Sequence, residues 1–207
     1  MVTEQIGKTL GRVVDKIVRL FAASQINPNL LTFIGMAINA LAAYLFAIAS
    51  TAQPGEFFRW AGATVIVAGI FDLTDGSVAR VTRRVTPFGG FFDSVMDRYS
   101  DLILLIGLLV FYGRGNRFGY VTLVAVAMIG SVMVSYTRAR AENLIPSCKV
   151  GFLERPERVV LIIIGALSNR MEPVLWVIAV LSNLTVIHRM VHTLHESRKL
   201  STPNQGS

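Results

Sequence analysis

Several separate apolar runs, each near the length that crosses a bilayer, follow one another along this 207-residue chain. A spanning helix needs about 20 mostly apolar residues. A soluble fold can bury some apolar surface, but not several separate stretches of this length. Composition agrees: 53% of residues are hydrophobic, 16% are charged and the mean hydropathy is +0.55, which is too apolar for an ordinary soluble domain of this size. The expected fold is an all-α integral membrane domain with no soluble partner domain.

Six transmembrane helices are expected, near 29–50, 57–82, 87–112, 117–143, 155–169 and 172–194. Asn27-Pro28-Asn29 suits a turn and helix start before the first. Tyr112-Gly113-Arg114-Gly115-Asn116 separates the third from the fourth, and the fifth is short. Ahead of them Ile6, Leu10, Val13, Val14, Ile17, Leu20 and Phe21 recur at helical spacing, with Lys8, Arg12, Lys16 and Arg19 on much of the other side. That pattern predicts an N-terminal amphipathic helix lying in the interface, not a cleaved signal peptide. The chain then divides into an amphipathic helix over 1–22, a six-helix membrane domain over 28–196 and a polar tail over 197–207.

The net charge is +7. Its basic residues lie between apolar runs, so anionic lipid headgroups and phosphorylated substrates are better partners than nucleic acid. Most Lys and Arg fall in the N-terminal helix, the 80–84 turn, the 138–158 region and the C-terminal end. The positive-inside rule places these, and both termini, on the cytoplasmic side of a cell membrane. A single cysteine, Cys148, excludes a disulfide framework within the chain.

The chemistry concentrates where the second and third helices meet. Asp72 and Asp75 are three residues apart, and Asp93 and Asp97 are four apart, so each pair shares a helix face. The turn at Arg83-Arg84-Val85-Thr86-Pro87 is expected to fold the two helices back against each other, letting all four carboxylates converge. One charged Asp in a membrane segment costs about 2.5–3.5 kcal/mol, so four cost on the order of 10 kcal/mol before mutual repulsion. Arg80 and Arg98 do not balance that cluster; two divalent cations would. An all-oxygen donor set favours Mg²⁺ or Mn²⁺ over zinc, and a two-metal site suits attack at phosphorus. Gly76, Ala79 and Gly89 leave room for a nucleotide against the helix backbones, or simply allow tight helix packing.

These residues form the pattern D-x2-D-G-x2-A-R-x8-G-x3-D-x3-D over Asp72–Asp97, which resembles the signature of the CDP-alcohol phosphotransferases with every fixed position present. The resemblance extends from the N-terminal helix through all six spans. It implies transfer of a phosphatidyl-type group from a CDP-linked lipid to an alcohol, with release of CMP. It further implies that Asp72, Asp75 and Asp93 bind metal, that Asp97 is general base and possible metal ligand, and that the enzyme is a homodimer. CDP contacts are implied at Asp72, Gly76, Ala79, Arg80 and Gly89, and at Asn29 and Thr32 where the first span begins.

The acceptor is read from later basic residues. Arg138 ends the fourth span, Arg155 and Arg158 open the fifth, and Arg189 sits in the sixth. Together they resemble the branch of phosphatidylinositol-phosphate and archaetidylinositol-phosphate synthases, whose acceptor is inositol 1-phosphate and whose basic cluster grips its phosphate. Arg suits that role because its fork binds phosphate bidentately. Lipid headgroup binding is the bland alternative for these arginines. Glycerol 3-phosphate, as in phosphatidylglycerophosphate synthases, is the rival acceptor; serine needs fewer cations. A transporter with an intramembrane carboxylate cluster predicts acids spread along a pathway and duplicated halves, and neither is present. His188, His192 and His195 recur at helical spacing and read as the interfacial end of the last helix.

Overall fold

The computed structural model describes residues 18–21 and 26–201, and among these it is all-helical with no strand. Six helices follow one another: α1 Pro28–Ile48, α2 Gly55–Val81, α3 Pro87–Arg114, α4 Phe118–Ala141, α5 Arg155–Leu167 and α6 Met171–Ser201. The expected amphipathic helix over 1–22 lies almost entirely outside the described residues, as do 202–207 of the expected tail. The tail expectation needs one correction. Residues 197–201 continue α6, because Lys199 pairs with Glu196 at 2.6 Å and basic residues in a last turn suit the helix dipole.

Local sequence explains the starts. The Asn27 side chain accepts from the Asn29 backbone N–H, with Pro28 at the first helical position of α1. Thr86 does the same for Gly89 N at 3.0 Å, with Pro87 opening α3. Glu154 and Glu157 form a reciprocal capping box at α5. Each device satisfies backbone donors that a helix start leaves unpaired.

Four helices, α1, α2, α4 and α6, are long and apolar enough to cross a membrane, so the chain is a multi-pass membrane protein. The other two fall short for different reasons. Asp93, Asp97, Arg98 and Asp101 crowd the first half of α3. The 13 residues of α5 reach only about 20 Å at 1.5 Å per residue, against a hydrocarbon core of about 30 Å.

α1 is the organising helix. It packs against both α2 and α3, which lean on it and not broadly on each other; the expected direct fold-back of α2 on α3 is replaced by this wedge. The wedge depends on Gly107, where an added Cβ would collide with the Ala43 backbone. Beyond it α4 packs on α6 and α3, and α5 bridges α2 and α6. The apolar core gathers Phe46, Phe58, Phe111 and Leu108, with edge-on ring contacts at 5.0 Å (Phe46–Phe58) and 4.9 Å (Phe58–Phe111). At that end Glu172 accepts from Tyr120 at 2.8 Å and from Arg117. The aspartates of the motif lie at the opposite end.

Candidate active site

The end opposite that aromatic core is where α1, α3 and α5 begin and α2 and α4 end. There the structure draws Asp72 of α2 together with Asp93 and Asp97 of α3: each offers one carboxylate oxygen, and the three lie within 4.8 Å of one another. Among the described residues no other group of three or more potential His, Cys, Asp or Glu ligands converges. Side chains therefore meet although the helix backbones stay apart. Oxygen donors alone, from carboxylates, fit a hard divalent ion.

Asp75 stands apart from the other three. Its Oδ2 accepts from Thr32 Oγ1 at 2.6 Å and its Oδ1 from the Gly76 backbone N–H at 2.5 Å. Each carboxylate oxygen keeps a further lone pair, so these bonds orient Asp75 without exhausting it. Thr32 is thereby tied to the motif from α1. Asn29, Thr32, Gly76, Ala79 and Gly89 line one cavity of about 130 Å³, whose wall also includes Asp75 and Asp93. Arg80 is exposed and donates to Ser77 Oγ at 3.1 Å; neither it nor Asp72 lines this cavity.

A larger cavity, about 390 Å³, opens on the other side of Asp97. Arg138, Arg155 and Arg189 line it, together with Asp97, Glu142 and Glu154. Three of the four arginines read from the sequence thus face one space that reaches the carboxylate cluster. Arg158 does not line it. Its side chain is buried and donates to Asp101 Oδ2 at 2.5 Å.

Arg155 joins the two halves of the site. Its Nη1 and Nη2 donate to Asp72 at 2.7 and 3.1 Å, and Nη1 also pairs with Asp97 at 2.9 Å. Arg189 is 1% exposed, and its donors reach Val150 O at 2.8 Å, Val134 O at 2.5 Å and Glu154 at 2.6 Å. It is as much a tie between α4, α6 and the 142–154 segment as a cavity wall. Thr185 Oγ1 holds the same segment by accepting from Phe152 N and Leu153 N at 3.0 and 3.3 Å. Arg138 spans Glu142 and Glu154 at 3.1 and 3.2 Å, and its hydrogen bond pulls the Glu142 carboxyl below its ordinary value.

Sequence reading missed Asp101, Glu142 and Glu154. Asp101 had a signal, since it continues the four-residue spacing of Asp93 and Asp97 by one more turn. The glutamates had none, because their role is to hold arginines that only the tertiary fold brings near. Cys148 is buried.

The profile of the CDP-alcohol phosphatidyltransferase family matches residues 25–192, so the chain belongs to that family of enzymes. An archaetidylinositol phosphate synthase of Pyrococcus horikoshii is 37% identical over 90% of this chain and 88% of its own length. A phosphatidylinositol phosphate synthase of Mycobacteroides abscessus is 30% identical over 88% of this chain and 84% of its own. Among solved structures, the Mycobacterium tuberculosis phosphatidylinositol phosphate synthase with CDP-DAG bound superposes with a TM-score of 0.77 at 26% identity, covering 93% of this chain and 96% of that one. The same enzyme in complex with manganese and citrate gives 0.78 at 26% identity, covering 92% of each.

Proposed function

We propose that the chain transfers a phosphatidyl-type group from a CDP-linked lipid to inositol 1-phosphate, releasing CMP. The observation that carries this reading is the cavity of about 390 Å³ in which Arg138, Arg155 and Arg189 stand beside Asp97. A phosphorylated acceptor needs cations next to the reacting centre, and this cavity supplies guanidiniums at that distance. The relatives named as inositol-phosphate lipid synthases point the same way.

Asp72, Asp93 and Asp97, together with Asp75, whose carboxylate Thr32 and Gly76 orient, would hold two divalent cations, Mg²⁺ or Mn²⁺. Bound there, such ions neutralise the pyrophosphate and steady the entering and leaving oxygens. Asn29, Thr32, Gly76, Ala79 and Gly89 form the nucleotide side of the site, with Asp72 and Arg80 at its margin. Asp97 takes the proton from the acceptor hydroxyl, and that oxygen attacks the lipid-side phosphorus as its bond to CMP breaks. Cations beside Asp97 weaken it as a base, so its contribution lies in placing the hydroxyl as much as in basicity. Arg155 and Arg138 hold the acceptor phosphate; Arg189 and Arg158 support them from the protein side. The active site and both termini face the cytoplasm, where the basic segments lie, and the enzyme works as a homodimer, as its family leads us to expect.

The test is an acceptor panel. Purified protein, CDP-diacylglycerol or its ether-isoprenoid counterpart, and Mg²⁺ or Mn²⁺ are combined with inositol 1-phosphate, glycerol 3-phosphate or serine, and CMP release is measured. Release with inositol 1-phosphate alone is expected. Consumption of glycerol 3-phosphate with inositol 1-phosphate ignored would make the chain a phosphatidylglycerophosphate synthase instead.

A further inference from the structure

We infer that Asp101 is a positioning residue for the transfer reaction: with Arg158 beneath it, it holds Arg155 between the carboxylate cluster and the acceptor cavity. The inference rests on the function proposed above and adds a residue outside the four-aspartate motif.

Asp101 lies on α3 one turn beyond Asp97, and it is 7% exposed. Its Oδ2 accepts from Arg158 Nη2 at 2.5 Å, and its Oδ1 lies 3.5 Å from Arg155 Nε. Both arginines belong to α5, which otherwise packs on α2 and α6. The Asp101 ion pairs, with the Arg155–Asp97 pair, therefore tie the start of α5 to α3, the helix that carries Asp93 and Asp97. Arg155 is flanked by carboxylates on both edges as a result, although its buried Nε makes no hydrogen bond. Its Nε edge faces Asp101, and its Nη edge faces Asp72 and Asp97.

Arg158 explains why a carboxylate is required at 101. The side chain is 3% exposed, and its Nε and Nη1 have no hydrogen-bond partner. Asp101 is its one ion-pair partner among the described residues. A buried charge deprived of its partner is strongly unfavourable. Without Asp101, Arg158 would be left so, and Arg155 would keep only its contacts to Asp72 and Asp97. It would then be drawn toward the cluster and away from the acceptor phosphate. Arg158, which does not line the cavity, acts on the acceptor through Asp101 and Arg155 and not by touch.

The wild-type protein is first run on the acceptor panel. If it consumes a phosphorylated acceptor other than inositol 1-phosphate, the acceptor reading falls and Asp101 is tested with that acceptor. If it consumes no phosphorylated acceptor, both readings fall. In Asp101→Asn, KM for the acceptor should rise at least tenfold while KM for CDP-lipid stays within twofold. The paired variant Asp101→Leu, Arg158→Met removes both charges and should keep the wild-type Tm in detergent, yet leave the acceptor KM raised. Recovery of the wild-type acceptor KM in the paired variant would show the pair to be a structural strut, and equal rises in both KM values for Asp101→Asn would overturn the proposal as well.

Discussion

Arg155 sits on the carboxylate of Asp72 through two hydrogen bonds of 2.7 and 3.1 Å, joining residues 83 positions apart. The same guanidinium touches Asp97 at 2.9 Å. A cation fixed in the protein thus shares oxygens with the ions those carboxylates are proposed to bind.

That sharing predicts a measurable competition. Arg155→Gln should bind Mn²⁺ several-fold more tightly, read by calorimetry or by electron paramagnetic resonance of the free ion. The same variant should lose at least tenfold in kcat/KM for the acceptor, a cost of about 1.4 kcal/mol or more. Weaker Mn²⁺ binding in the variant would mean that Arg155 supports the carboxylate geometry and does not compete for it.

Asp97→Asn keeps the shape of the side chain but removes its charge. CMP release should fall at least a thousandfold while CDP-lipid still binds, measured by equilibrium binding of labelled lipid. Turnover near the wild-type rate would exclude Asp97 as the proton acceptor.

Thr32→Val removes the 2.6 Å bond that α1 donates to Asp75 with little change in volume. A charge-assisted bond of this kind is worth about 1.5–3 kcal/mol. KM for CDP-lipid should rise about tenfold and KM for the acceptor should not move. A change confined to the acceptor would show that Thr32 does not serve the nucleotide side.

Gly107→Ala places a methyl group against the Ala43 backbone, where α3 packs on α1. Overpacking of this sort costs about 1–3 kcal/mol. The midpoint of thermal unfolding in detergent should drop by several degrees, and an unchanged midpoint would mean the two helices can separate freely.

Arg189→Lys replaces a planar fork with a point charge. One ammonium cannot reach Val134 O, Val150 O and Glu154 together as the guanidinium does. Limited proteolysis should cut within 142–154 faster in this variant, at a rate several-fold above wild type. Equal cleavage rates would mean that Thr185 alone secures the segment.

Much of this molecule was legible in the order of its residues, because the effects concerned are local. Apolar runs of spanning length depend on neighbours along the chain, and so does the Asn27-Pro28 start of α1. Spacings of three and four residues put Asp72 with Asp75, and Asp93 with Asp97, on common helix faces whatever the tertiary fold. The end of α6 was misread because polarity alone does not stop a helix when Glu196 and Lys199 can pair across one turn.

Tertiary packing decided the rest. Only the wedge of α1 against Gly107 determines that α2 and α3 stand apart, so that Asp72 meets Asp93 and Asp97 while Asp75 turns to Thr32. Four arginines looked alike in sequence, yet burial separates them: Arg138, Arg155 and Arg189 line a cavity, Arg189 buried and mostly spent on backbone carbonyls, and Arg158 lies beneath on Asp101. A charged side chain has reach enough for several partners, and which one it takes depends on groups brought near by helices distant in sequence. The residue types at Asp72–Asp97 therefore identified the reaction, while the assignment of each arginine required the fold.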